Sequence, residues 1–315
     1  MWTFILRRLV VMFVALVLVS VLAFLIPYMS GPEPTEMIIH SRVANLAIDQ
    51  DTIDKMRIHL GLNRPLAIQY LDWLGDAIQG DFGFSFADRE SVSVHIRTSI
   101  MVSITLALSA LGLALVVALP LGAVAALKPG RRIDTFITFL TQSLVAIPEY
   151  WVAPFATLVF SVSLGWLPSA GWRGPEYVVL PALALALRPM AYFTRVTRAA
   201  MIDVLEAPYI TAALSRGLGI GRTILRHGIR NAMPPVITLF AMWLAGLIGG
   251  AVVIEVIFSI PGMGRLLYEA VVNKDIPMIQ GAIVCLVSFA ILMSTLTDLM
   301  YVALNPTVGI TDASA

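Results

Sequence analysis

RVTRAAMIDVLEAPYITAALSRGLGIGRTILRHGIRNAMPP, Arg195 to Pro235, places Arg195, Arg198, Arg216, Arg222, Arg226 and Arg230 between two apolar segments, each long enough to cross a bilayer. Positive charges next to spanning helices are retained on the cytoplasmic side, so this stretch is expected to be a cytoplasmic loop of a membrane protein. Within it, Ala212 and Ala213 are small enough for a partner surface to come close, and Gly217 and Gly219 permit a tight turn. The arginines are suited to meeting carboxylates on a partner.

The flanking composition supports a membrane setting. Of the 315 residues, 58% are hydrophobic and 13% charged, an apolar excess that a soluble domain does not carry on its surface. A spanning helix needs about 20 apolar residues. Six stretches qualify: Leu9–Tyr28, Met101–Leu127, Phe136–Leu164, Val178–Arg198, Pro235–Ile257 and Ile279–Leu304. The chain is therefore expected to be an all-α, polytopic membrane protein. Arg7 and Arg8 precede the first span, and Lys128, Arg131 and Arg132 follow the second. The alternate connections are poorer in Lys and Arg, so both termini are expected to be cytoplasmic. The first span is too long for a secretory signal and no A-x-A-like site follows it, so it reads as a retained anchor helix.

Organisation follows from these spans. Residues 1–29 form the anchor helix, 30–99 an outer helical segment, 100–304 the core with its basic loop at 199–234, and 305–315 a cytoplasmic tail. From Asp49 to Phe86 the apolar residues recur at helical spacing, punctuated by Gly61, Pro65, Gly75, Gly80 and Gly83, which predicts short helices joined by turns. His40, His59 and His95 lack the close spacing of a metal motif and are expected to be solvated or structural. Cys285, the one cysteine, excludes intrachain disulfides and Cys-based zinc sites.

Ionisable residues at bilayer depth are costly and face cavities or partners. Glu149 and Arg188 each fall near the middle of a predicted span. Two readings stay open for them: an ion pair that fixes helix packing, or two groups lining a pathway. Glu255 falls near the outer end of the fifth span, just before Pro261-Gly262-Met263-Gly264. It is read either as part of an outer gate or partner contact, or as a wetted helix end.

No G-x-x-x-x-G-K-[ST] phosphate loop, G-x-S-x-G elbow or H-E-x-x-H pair is present, so catalysis by this chain is not expected. A nucleic-acid role is not expected either, since the basic loop has no aromatic platform beside it.

The stretches Arg195-Val196-Thr197-Arg198, Tyr209-Ile210-Thr211-Ala212-Ala213-Leu214-Ser215-Arg216-Gly217-Leu218 and Leu225 to Pro235 resemble the permease subunits of bacterial ABC importers, in particular the dipeptide, oligopeptide and nickel branch. Four further stretches carry the same resemblance in order along the chain: Leu60 to Ser85, Gly165-Trp166-Leu167-Pro168 with Leu180-Pro181-Ala182, Glu255 to Gly264, and Asp298 to Pro306. The resemblance implies the type I importer permease fold in the bacterial inner membrane. It also implies that Thr211, Ala212, Ala213, Arg216, Gly217 and Leu218 form the EAA coupling motif, with Thr211 where the family has glutamate. Glu206-Ala207-Pro208 is a decoy, because the motif starts six residues before its glycine.

The implied partners are a second, homologous permease, two ATP-binding cassette subunits, a periplasmic substrate-binding protein and the surrounding lipid. ATP and Mg belong to the partner ATPases and no cofactor to this chain. Short peptides are the first cargo the resemblance implies, with nickel or a metal chelate, glutathione and opine-like solutes open. The rival reading is an ion-driven secondary transporter with Glu149 as proton carrier, which predicts internal repeats that the sequence does not show.

Overall fold

The structure, a computed structural model, describes residues 2–29, 55, 58 and 62–304. His40, His59, Gly61 and the tail at 305–315 lie outside the described residues. The chain folds into helices: α1 Trp2–Met29, α2 Leu66–Ile78, α3 Val92–Ala126, α4 Arg132–Ala146, α5 Glu149–Ala156 with a π-helical continuation Thr157–Ser163, and α6 Glu176–Leu205. There follow α7 Pro208–Ser215, α8 Ile220–Thr223 with a π-helical continuation Ile224–Gly228, α9 Ile229–Gly250, α10 Val252–Ile257, α11 Met263–Val272 and α12 Ile276–Leu304. Among the described residues, the only β pairing is an isolated bridge between Phe84 and Ser91.

Among the described residues five helices are long and apolar enough to cross a membrane, or six if the bent pair Arg132–Ala146 and Glu149–Ser163 counts as one broken span. That pair corrects the sequence reading of Phe136–Leu164 as one continuous span. α4 and α5 meet at 92°. Pro148 has no N–H to continue the ladder and forces the residue before it out of the helical region, and Ile147 accordingly sits at φ −85°, ψ 120°. The fifth span also differs from expectation: α9 stops at Gly250, and Val252–Ile257 is a separate short helix rather than the end of the span.

α3 and α6 share the most extensive packing in the molecule, with α9 against both. Their contact is rich in alanine: Ala107, Ala110, Ala114 and Ala118 on one face of α3 and Ala182 and Ala186 on α6 all lie in the main core cluster. Where lipid tails are as apolar as the side chains, small residues that bring backbones close supply much of the helix association. Around this centre, α1 packs along α12, and Arg8 pairs with Asp298 at 3.0 Å. α2 is held against α1 by rings, with Phe24 lying 5.6 Å from Tyr70 and 5.8 Å from Trp73, and by a 2.8 Å hydrogen bond between the Ser20 and Tyr70 hydroxyls.

Asp275, silent in the sequence, joins the outer segment to the core. It is buried, and its carboxylate accepts hydrogen bonds from the Ser85 hydroxyl at 2.5 Å, the Phe86 N–H at 3.1 Å and the Met278 N–H at 3.3 Å. The last of these caps the start of α12.

Two helix ends close on non-glycine residues in the left-handed region, Ser259 at φ 53° after α10 and Lys274 at φ 54° after α11. Both have the paired bonds of a Schellman cap, Ile260 N–H to Glu255 O with Ser259 N–H to Val256 O, and Asp275 N–H to Ala270 O with Lys274 N–H to Val271 O. An L-residue there costs about 1–2 kcal/mol, part of which glycine loses again to unfolded-state freedom. S259G and K274G are each expected to stabilise the protein by about 0.5–1 kcal/mol. Thermal unfolding in detergent checks this, and a lowered midpoint in both would contradict it.

Candidate functional site: a helical hook and a locked turn at opposite ends of the bundle

The basic stretch divides between span and hook. α6 continues to Leu205, so Arg195 and Arg198 belong to the helix, and the connection proper runs over 206–228. Within it α7 and α8 lie on either side of a turn at Gly217. Leu218 N–H bonds to Ala213 O at 3.3 Å and Gly217 N–H to Leu214 O at 2.9 Å, which is a complete Schellman cap. Gly217 sits at φ 83°, and a Cβ added there would meet nothing within 4 Å. Backbone conformation, not crowding, is therefore what requires glycine at this turn.

On α7, Ile210 and Ala213 face inward while Thr211, Ala212, Ser215 and Arg216 are exposed, and Leu218 is half-buried. The Tyr209 hydroxyl accepts a 3.3 Å hydrogen bond from the Asn231 amide, tying the hook to the start of α9. Thr211, Ala212 and Arg216 thus form an outward patch on a short helix whose ends are connected to two spans.

Arg198 is not a loop arginine merely holding topology. Its Nε and Nη2 donate to Asp134 Oδ1 and Oδ2 at 2.5 and 2.7 Å, a bidentate pair, while Gly130 N–H reaches Oδ2 at 2.7 Å. The Asp134 side chain is 5% exposed. This pair braces the first turn of α4 against α6, one helical stretch before the hook, and sequence reasoning missed it because the partners lie 64 residues apart.

At the far end of α9, Glu255 comes together with the turn that holds Pro261, Gly262 and Gly264. Glu255 is fully buried, which excludes the wetted helix end. Its Oε1 accepts from the Ser103 hydroxyl at 2.6 Å and its Oε2 from the Arg265 N–H at 2.9 Å, and Ser103 Oγ in turn accepts from the Met263 N–H at 2.8 Å. Glu255 and Ser103 therefore satisfy the free N–H groups at the start of α11. A Cβ on Gly262 would lie 2.1 Å from Glu255 Oε1, and one on Gly264 would lie 2.7 Å from Val252 Cγ2. Pro261 is exposed at the tip. Gly171 N–H bonds to Phe258 O at 2.7 Å, so the connection before α6 is fastened to the same turn.

Glu149 and Arg188 are not brought together. Among the described residues no ion pair joins them; Glu149 is half-buried at the first turn of α5, and Arg188 is exposed on α6. The ion-pair reading therefore fails. His95 has found neighbours that its sequence spacing did not show: its Nε2 lies 2.9 Å from Asp88 Oδ2 and 3.5 Å from Glu90 Oε2 on the turn before α3. Burial raises the Asp88 carboxyl, but the Glu90 N–H, the Ser85 hydroxyl and His95 together hold it below the usual range.

Among the described residues the chain is a helical bundle with five helices long and apolar enough to cross a membrane, a hook between two of them and a locked turn at the other end. The profile of the family "Binding-protein-dependent transport system inner membrane component" matches residues 118–310, and that of "Binding-prot-dependent transport system membrane comp, N-term" matches residues 1–109. The chain belongs to this family, and is an inner-membrane permease subunit of an ABC importer that works with a binding protein. It is similar to the glutathione transport system permease protein GsiC of Shigella flexneri serotype 5b (strain 8401), 34% identical over 308 residues covering 98% of this chain and 99% of the relative. The GsiC of Escherichia coli (strain K12) is 33% identical over the same shares.

Proposed function

We propose that this permease carries short peptides of the size of glutathione, itself a tripeptide, from the periplasm to the cytoplasm. The observation that carries this reading is the near-complete alignment with permeases named for glutathione transport. Residues 100–304 form the permease core, paired with a second permease, two ATPase subunits on the hook side and a binding protein on the side of the Glu255 turn. ATP and Mg reside on the ATPases. The exposed patch of Thr211, Ala212 and Arg216, set by the turn at Gly217 and Leu218, docks on an ATPase. ATP binding draws the hooks together and opens the pathway outward; hydrolysis resets it. Coupling requires nucleotide to bind one conformation more tightly than the other, because equal affinity for both shifts nothing. Glu255, Pro261, Gly262 and Gly264 form the rim on the binding-protein side, and Glu149 and Arg188 line the pathway.

Gly217→Asp tests the hook. Aspartate at φ 83° is strained by about 1–2 kcal/mol, enough to move the turn without unfolding helices that pack elsewhere. In the co-expressed complex in lipid, stimulation of ATP hydrolysis by binding protein with peptide or glutathione is expected to fall at least about tenfold, with assembly intact. Uptake by this chain alone under an ion gradient would overturn the importer reading.

A further inference from the structure

Arg188 and Arg195 occupy the same face of α6, seven residues apart, with Tyr192 between them and exposed Ala199 one turn further on. Both guanidinium-bearing residues are exposed, and among the described residues neither has a carboxylate partner. Arg195 lies 5.3 Å from the centre of the Tyr192 ring, and Tyr192 lies 5.6 Å from the Trp243 ring of α9. The other faces of α6 are taken up by α3, α9, α4 and α5. One stripe is thus left uncovered within a spanning helix; Arg188 and Arg195 make its middle cationic, and exposed Asp203 lies at its hook end.

Arg188 lies just before the midpoint of the 30-residue helix, about 18 Å from its start along the axis. An arginine at that depth does not face hydrocarbon at equilibrium without a large cost, so the stripe faces water or an anion. Guanidinium is suited to carboxylate, which it binds through two parallel N–H donors, and the Tyr192 and Trp243 rings beside it offer an apolar wall to a peptide's body. The rise between the two arginines is about 10 Å, close to the length of about three extended residues.

Resting on the importer reading, we infer that Arg188 and Arg195 are specificity-determining residues that favour tripeptide-sized cargo with a carboxylate at each end, taking one carboxylate on each guanidinium as the cargo passes. Selection is then made twice, at the binding protein and again inside the permease. Glu149, set apart from Arg188, takes no part in the anion contact.

The test is ATP-dependent uptake by the complex in proteoliposomes, at cargo concentrations that saturate the binding protein. Two tripeptides are compared: one with an N-terminal glutamate and a free C-terminal carboxylate, and its analogue with glutamine and a C-terminal amide. The ratio of their uptake rates is expected to fall by on the order of tenfold in R188Q and in R195Q, and to be restored only in part in R188K, which keeps the charge but loses the two-donor fork. A ratio unchanged in both glutamine variants, whatever the total uptake, would overturn the inference while leaving the importer intact. Wild-type complex that moves neither cargo with ATP would overturn the importer reading itself.

Discussion

Gly262→Ala is expected to destabilise the protein by about 3–5 kcal/mol, the sum of overpacking a closed site and orphaning buried donors. The added methyl would sit 2.1 Å from Glu255 Oε1 and 2.3 Å from its Cδ. Glu255 has nowhere to retreat, being fully buried and hydrogen-bonded to Ser103 and the Arg265 N–H. Moving it breaks both bonds and uncaps α11. Pro261→Ala, one residue away and exposed, is expected to change stability by no more than about 1 kcal/mol. Thermal unfolding and the yield of monodisperse protein in detergent separate the two. Equal midpoints for G262A and wild type would mean that the turn is not locked as described.

The second large effect is at the other end of the bundle. Asp134→Ala leaves the Arg198 guanidinium without its bidentate acceptor and the Gly130 N–H without its partner. Breaking a buried pair by deleting one member costs about 3–5 kcal/mol; because the Arg198 side chain is 31% exposed, about 2–4 kcal/mol is expected. Replacing both members, in D134L with R198M, is expected to recover most of that loss, since an apolar pair avoids the stranded charge. A double-mutant cycle measures it, and additive losses would argue that the two residues act independently.

Much of this architecture is written in one-dimensional signals. Long apolar runs locate the spans, and Gly217 marks a tight turn, because only local geometry is involved; the start of the motif at Thr211 is given by the family resemblance. Pro148 lies inside an apolar run that continues past it, and composition alone does not distinguish a gentle kink from a turn of 92°. Long-range polar contacts were beyond reach for a different reason. Asp275 meets Ser85 across 190 positions and Asp134 meets Arg198 across 64, and nothing in the local pattern marks a carboxylate as buried and shared. Glu255 lay between these cases: adjacency tied it to Gly262 and Gly264, but its burial and its bond to Ser103 depend on α3.

The right angle at Pro148 bears on how the protein is made. Each limb, α4 and α5 with its continuation, has 15 residues, about 22 Å of helix, short of the roughly 30 Å hydrocarbon slab. Neither limb is a self-sufficient insertion unit. The segment therefore cannot be released sideways from the translocon as an independent helix, and the polar backbone groups freed at the elbow need protein or water around them. Both limbs pack against α6, so the segment is expected to settle only once α6 has been made.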